Sequence, residues 1–126
     1  MPTRPSKELV TVPNPYAGRE YEVSISCPEF TCLCPMTSQP DFAEIRIHYV
    51  PGERLIELKA LKLYLWSYRD EGAFHEAVVN QVLDDLVAAC QPVRMEVVGD
   101  FNVRGGIKTV VTARYDHEEA RQLRAA

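Results

Sequence analysis

The sequence predicts an α+β fold: an antiparallel sheet of four strands with two helices on one face. Three observations predict it. Apolar and polar residues alternate in four separate runs, the period of a half-buried strand. Between the second and third runs the period lengthens, twice, to that of a helix. The resulting order is β-β-α-α-β-β, two sequential hairpins with a helix pair between them.

Residues 1–19 are rich in proline, glycine and charge (Pro2, Pro5, Pro13, Pro15, Gly18) and read as an irregular arm. Tyr21, Val23 and Ile25 alternate with Glu22, Ser24 and Ser26 in a first strand, which Pro28 is expected to end. Residues 28–41 hold Pro28, Pro35 and Pro40 with Thr, Ser and Gln between them, a loop too long for an idle turn. Ile45, Ile47 and Tyr49 alternate with Glu44, Arg46 and His48, and Pro51-Gly52 closes this second strand. Leu58, Leu61, Leu65 and Tyr68 sit at helical spacing, Leu63 and Trp66 widen the apolar face, and Gly72 marks the stop. From Phe74 a second helix shows Val78, Val82, Leu86 and Ala89 along one side, and Pro92 cannot continue it. Val93, Met95 and Val97 alternate with Arg94 and Glu96 in the third strand. Arg104-Gly105-Gly106 looks like a hairpin turn, and residues 107–115 form the fourth strand. The polar tail over 117–126 reads as a frayed helical end.

A chain of 126 residues is one domain by length, residues 1–126, with a core small enough that oligomerisation helps it. The net charge of −4 and pI near 5.4 oppose non-specific binding along a nucleic-acid backbone. No apolar run approaches the ~18 residues of a membrane span. The opening MPTRPSKELV lacks the apolar core of a secretory signal. Both features favour a reducing cytoplasm, where the four cysteines are free thiols.

The residues able to carry chemistry fall in two stretches, Phe30 to Phe42 and Glu57 to Glu76. In the first, Cys34 stands before Pro35 in the proline-rich loop and is either a nucleophile or a small buried apolar residue. Asp41 after Pro40 is either a general acid/base or a backbone cap. In the second, Lys59 and Lys62 share a helix face, which makes a phosphate site or a solvated surface. No G-x-G-x-x-G is present, so a Rossmann cofactor domain is excluded. Cys27, Cys32, Cys34, His48 and His75 offer donors for a zinc shell, but C-x4-C-x-C is not a common structural-zinc spacing.

Taken together, EFTCLCPMTSQPDF and IELKALKLYLWSYRDEGAFHE resemble the short, single-module NADPH-dependent nitrile reductases that act on 7-cyano-7-deazaguanine in tRNA queuosine biosynthesis. The resemblance covers residues 20–115. It implies the tunnelling fold, in which β-β-α-α-β-β subunits join edge to edge into rings. It further implies a decamer of two stacked pentamers with active sites between subunits, and no direct contact with tRNA or membrane. The pattern F-T-x-L-C-P selects Cys34 over Cys32 as the nucleophile, which captures the nitrile carbon as a covalent thioimide. Asp41 becomes the general acid/base, with His75 a second candidate for proton transfer. Substrate recognition falls to Ile56, Glu57, Leu58, Phe74, His75 and Glu76. A carboxylate there accepts the ring N–H and exocyclic amine of a deazaguanine in parallel. Phe74 either stacks on the heterocycle or packs in the core. NADPH, a co-substrate, falls to Lys59, Lys62, Arg104 and Gly105, and no metal is expected. Leu58 departs from the serine many relatives carry, which leaves only backbone contacts at that position. The competing reading is a zinc-dependent enzyme of the same fold, similar to the GTP cyclohydrolases.

Overall fold

The computed structural model describes residues 3–125; the first two residues of the expected arm and Ala126 of the expected tail lie outside them. The elements run β1 (Thr11–Pro13), β2 (Val23–Leu33), β3 (Pro40–Val50), β4 (Arg54–Ile56), α1 (Leu58–Trp66), α2 (His75–Cys90), β5 (Arg94–Arg104), β6 (Ile107–Asp116) and α3 (His117–Ala125). Strands β2-β3-β5-β6 form an antiparallel sheet in that order, and β1 pairs with β4 in a second, two-stranded sheet.

The alternation does what its period implies. Ile45, Ile47 and Tyr49 of β3 and Met95, Val97 and Phe101 of β5 turn to one face and are buried. There they meet Leu61, Tyr64 and Leu65 of α1 and Val78, Val79, Val82 and Leu86 of α2 in one core cluster. Gly99 lets α2 approach β5: a Cβ there would lie 2.5 Å from a methyl of Val79. The opposite face is polar and held by ion pairs, with Arg46 between Glu44 and Asp100, and Lys108 on Asp100. The Arg104–Ile107 hairpin turns through Gly105 and Gly106, both at positive φ (58° and 79°), the conformation a two-residue turn of this kind requires.

Five expectations need correction. Pro28 does not end the first strand, because β2 is an edge strand. A bulge between Cys27 and Phe30 sets Pro28 and Glu29 outside the ladder, and pairing resumes at Phe30. The expected loop over 28–41 therefore shrinks to 34–39. The arm is not wholly irregular, since Val12 sits opposite Leu55 in the small β1-β4 sheet. The first helix ends at Trp66, not Gly72: from Ser67 the chain closes with tight i→i−3 bonds (Tyr68 N–H to Leu65, Arg69 N–H to Trp66). The tail, expected as a frayed helical end, is a helix in its own right, α3, which brings the helix count among the described residues to three.

Candidate active site

The site gathers at the end of the sheet where β2 hands over to β3. Cys34 donates its N–H to the Gln39 carbonyl (2.8 Å) and accepts at its own carbonyl from Ser38 N–H (2.8 Å). Ser38 sits at φ 61°, a left-handed conformation uncommon for a non-glycine residue, and this curls the loop back on itself. Hydrogen bonding within this loop, from the Thr37 hydroxyl first and then the N–H groups of Met36 and Thr37, holds the Cys34 thiol below its ordinary value against desolvation and the Asp41 charge. The other three thiols move the opposite way. Burial pushes Cys32 and Cys90 up to about 11 and raises Cys27. Of the four, the loop singles out Cys34.

Asp41 pairs with Cys32 across β2 and β3, so both side chains turn toward the helices. Only 7% of Asp41 is exposed. Its Oδ1 accepts from Arg104 Nη1 (2.9 Å), and its Oδ2 faces His75 Nε2 (3.2 Å). Arg104 also donates to the Pro40 carbonyl and, through Nη2, to Gln39 Oε1 (2.6 Å). The His75 ring lies flat on Phe101, centroids 3.7 Å apart and planes 4° from parallel. His75 reaches the loop because the preceding segment docks on β2: Leu33 N–H donates to Glu71 O (2.9 Å), and Ala73 N–H donates to Leu33 O (3.0 Å).

Cys34, Asp41, His75 and Arg104 are thus brought together. Phe74, an exposed residue at the N-cap of α2, and Glu76, exposed in its first turn, flank them. The remaining candidates lie in the segment leading into α1 and along it, a nine-residue helix ~14 Å long. Glu57 is its N-cap. Both its carboxylate oxygens accept backbone N–H groups, from Ala60 (2.7 Å) and Lys59 (2.9 Å), which hold the carboxyl below its usual range. Ile56 is buried and donates its N–H to the Tyr49 hydroxyl (3.1 Å), while Leu58 and Lys59 are exposed. Lys62 borders a cleft of about 520 Å³ between the β2 bulge and the end of α1, beside Trp66 and Arg69. Among the described residues no hydrogen bond or ion pair joins this second group to the first.

The donors named for a zinc shell do not converge. No three His, Cys, Asp or Glu side chains among the described residues form a metal-binding group. His48 lies on the polar face with Ser24 (2.8 Å) and Glu22 (3.3 Å). Three contributors escaped the sequence reading: Thr37, Gln39 and Phe101. The first two stand inside the matched loop motif. Phe101 continues the Met95–Val97 alternation, a signal visible once β5 is extended.

Fold and site together place the chain in the class described as QueF-like proteins, whose family profile matches residues 40–120. Within it, the chain belongs to the family of NADPH-dependent 7-cyano-7-deazaguanine reductases. The protein of that name from Anaeromyxobacter dehalogenans is 67% identical over 95% of this chain and 98% of its own length. The one from Thermomicrobium roseum is 62% identical over 92% and 91%. That of Nitrosococcus oceani is 59% identical over 91% and 89%. Among solved structures, the apo archaeosine synthase QueF-Like superposes with a TM-score of 0.66 over 75% of this chain and 91% of its own. At 21% identity it speaks for the fold alone. No helix among the described residues is long and apolar enough to cross a membrane.

Proposed function

We propose that the chain reduces the nitrile of 7-cyano-7-deazaguanine to 7-aminomethyl-7-deazaguanine with two molecules of NADPH, in the cytoplasm, as a step toward queuosine. The observation that carries this reading is Cys34: a thiol held low by Thr37 in its loop, next to a buried carboxylate, Asp41, that the half-buried His75 imidazole faces.

The Cys34 thiolate adds to the nitrile carbon while the nitrogen takes a proton, giving a thioimide. Hydride from NADPH adds to that carbon and a second proton to nitrogen, leaving a sulfur-bound aminal. The carbon–sulfur bond breaks, the thiolate departs and the nitrogen returns one proton to Asp41, so that an imine forms in place. A second hydride and proton give the primary amine. Four electrons arrive as two hydrides, and the sulfur ends unchanged. Asp41, with His75 on its Oδ2, supplies the protons.

Glu76 and Glu57 face the deazapurine, with Ile56, Leu58, Phe74 and His75 around it. A carboxylate oxygen has two lone pairs, so Glu57 caps α1 and still accepts from a ligand. Lys59 and Lys62 take the NADPH phosphates, and the Gly105 turn lies alongside. The two groups of candidates share no hydrogen bond or ion pair among the described residues, which supports a site in which one chain's group is completed by a neighbour's. Among the described residues, β6 and the Val23–Cys27 part of β2 have an unpaired outer edge, which supports ring assembly of the tunnelling-fold kind, read here as a decamer of two pentamers.

The test is direct. Protein mixed with the cyano compound, without NADPH, gains the ligand's mass on the peptide containing Cys34. An adduct that persists in Cys34→Ala removes Cys34 from the mechanism. NADPH absorbance that stays constant with both ligands present sinks the reading altogether.

A further inference from the structure

The resemblance gives Arg104 to the cofactor, but three of its five N–H donors already serve the nucleophile loop and Asp41. Nη1 reaches Pro40 O and Asp41 Oδ1, and Nη2 reaches Gln39 Oε1. The backbone is shaped to bring it there. Regular alternation from the buried Phe101 would turn Arg104 to the polar face. The register shift between Phe101 and Arg104 inserts a bulge, leaves Asn102 and Val103 exposed, and returns Arg104 to the face that holds Asp41. A bulge that re-aims one side chain is a recurrent device beside active sites.

We propose that Arg104 is a positioning residue that fixes Asp41 and the nucleophile loop in one geometry, rather than a ligand of the NADPH phosphates. Its guanidinium occupies Oδ1. That leaves Oδ2, the oxygen facing His75, to carry the catalytic proton. Through Gln39 the same group reaches the nucleophile, because the Gln39 carbonyl is the acceptor for Cys34 N–H (2.8 Å). One planar fork thus ties the β5-β6 hairpin to the proton donor and to the thiol. A lysine ammonium, a point charge on a flexible stem, does not span three acceptors in this way.

The inference rests on the proposed reduction for its kinetic readout but has a second readout that does not. In the full chain, Arg104→Ala and Arg104→Lys are compared with the unaltered protein. At saturating NADPH the rate falls on the order of 100-fold in both variants, the cost of a displaced catalytic group. The NADPH dissociation constant, read by fluorescence, moves less than about threefold, the change expected when the phosphates lose no direct contact. A tenfold weaker NADPH complex with the saturated rate retained overturns the proposal, as does full recovery by lysine. Independently of activity, the chain has three histidines, so their imidazole resonances are assignable. Those of His75 shift in Arg104→Ala while those of His48 and His117 stay in place; an unmoved His75 overturns the proposal. An unaltered protein without turnover would count against the reductase reading, while the His75 resonances still decide the role of Arg104. Should Arg104→Ala melt early, Arg104→Lys serves for both readouts.

Discussion

At the scale of the residue, Cys34 and Cys32 stand two positions apart and differ through their surroundings. Hydrogen bonding in its loop, the Thr37 hydroxyl above all, holds one below its ordinary value; the other is 0% exposed and pushed up to about 11. A thiolate-selective alkylating reagent at neutral pH therefore modifies Cys34 ahead of Cys27, Cys32 and Cys90, as peptide mapping would reveal. Thr37→Val removes a donor that favours the charged form, so the Cys34 value rises and the midpoint of its alkylation-against-pH curve moves upward. A midpoint unchanged in Thr37→Val would mean that the hydroxyl does not prime the sulfur. Cys34 and Asp41 were legible in the sequence because their residue types and spacing match a motif. The partners that set their chemistry were not. Arg104 reaches Asp41 across 63 positions of sequence, by way of a bulge that alternation does not announce.

At the scale of the element, legibility followed length and regularity. Helix α2 has sixteen residues with an unbroken apolar stripe and a proline just beyond, and its bounds came out as expected. Strand β2 was truncated in the reading because proline usually ends a ladder, and only its edge position explains why it continues. The short β1 and β4 strands carry three residues each, too few for any period to register. Packing between elements adds a prediction. A methyl at Gly99 would lie 2.5 Å from Val79 and 2.8 Å from the Phe101 ring, both buried. Gly99→Ala forces α2 away from β5 and costs about 1–3 kcal/mol, seen as a lower urea midpoint at constant slope. Because Phe101 is the floor under His75, the same variant also lowers turnover. Adding Val79→Ala returns part of the lost stability. If the double variant is no more stable than the single one, the crowding lies elsewhere.

At the scale of the whole molecule, the isolated chain leaves its candidate residues in two groups that no hydrogen bond or ion pair joins among the described residues; the resemblance implied sites between subunits, but residue spacing did not show which residues fall in which group. If neighbours complete each site, two defective proteins repair one another. Cys34→Ala and Glu57→Gln, each depressed in turnover alone, regain activity when unfolded together and refolded as a mixture. No recovery, or a native mass of 14.3 kDa, argues that each chain works alone. The bulge at Pro28 and Glu29 bears on how such neighbours meet. Beyond it, at Leu33, the outer side of β2 is already occupied by the segment around Gly72. Only the five residues from Val23 to Cys27 remain as a continuous, open template. An incoming strand finds a short berth with a stop at one end, which fixes its alignment and denies it the long sliding contact from which fibrils grow.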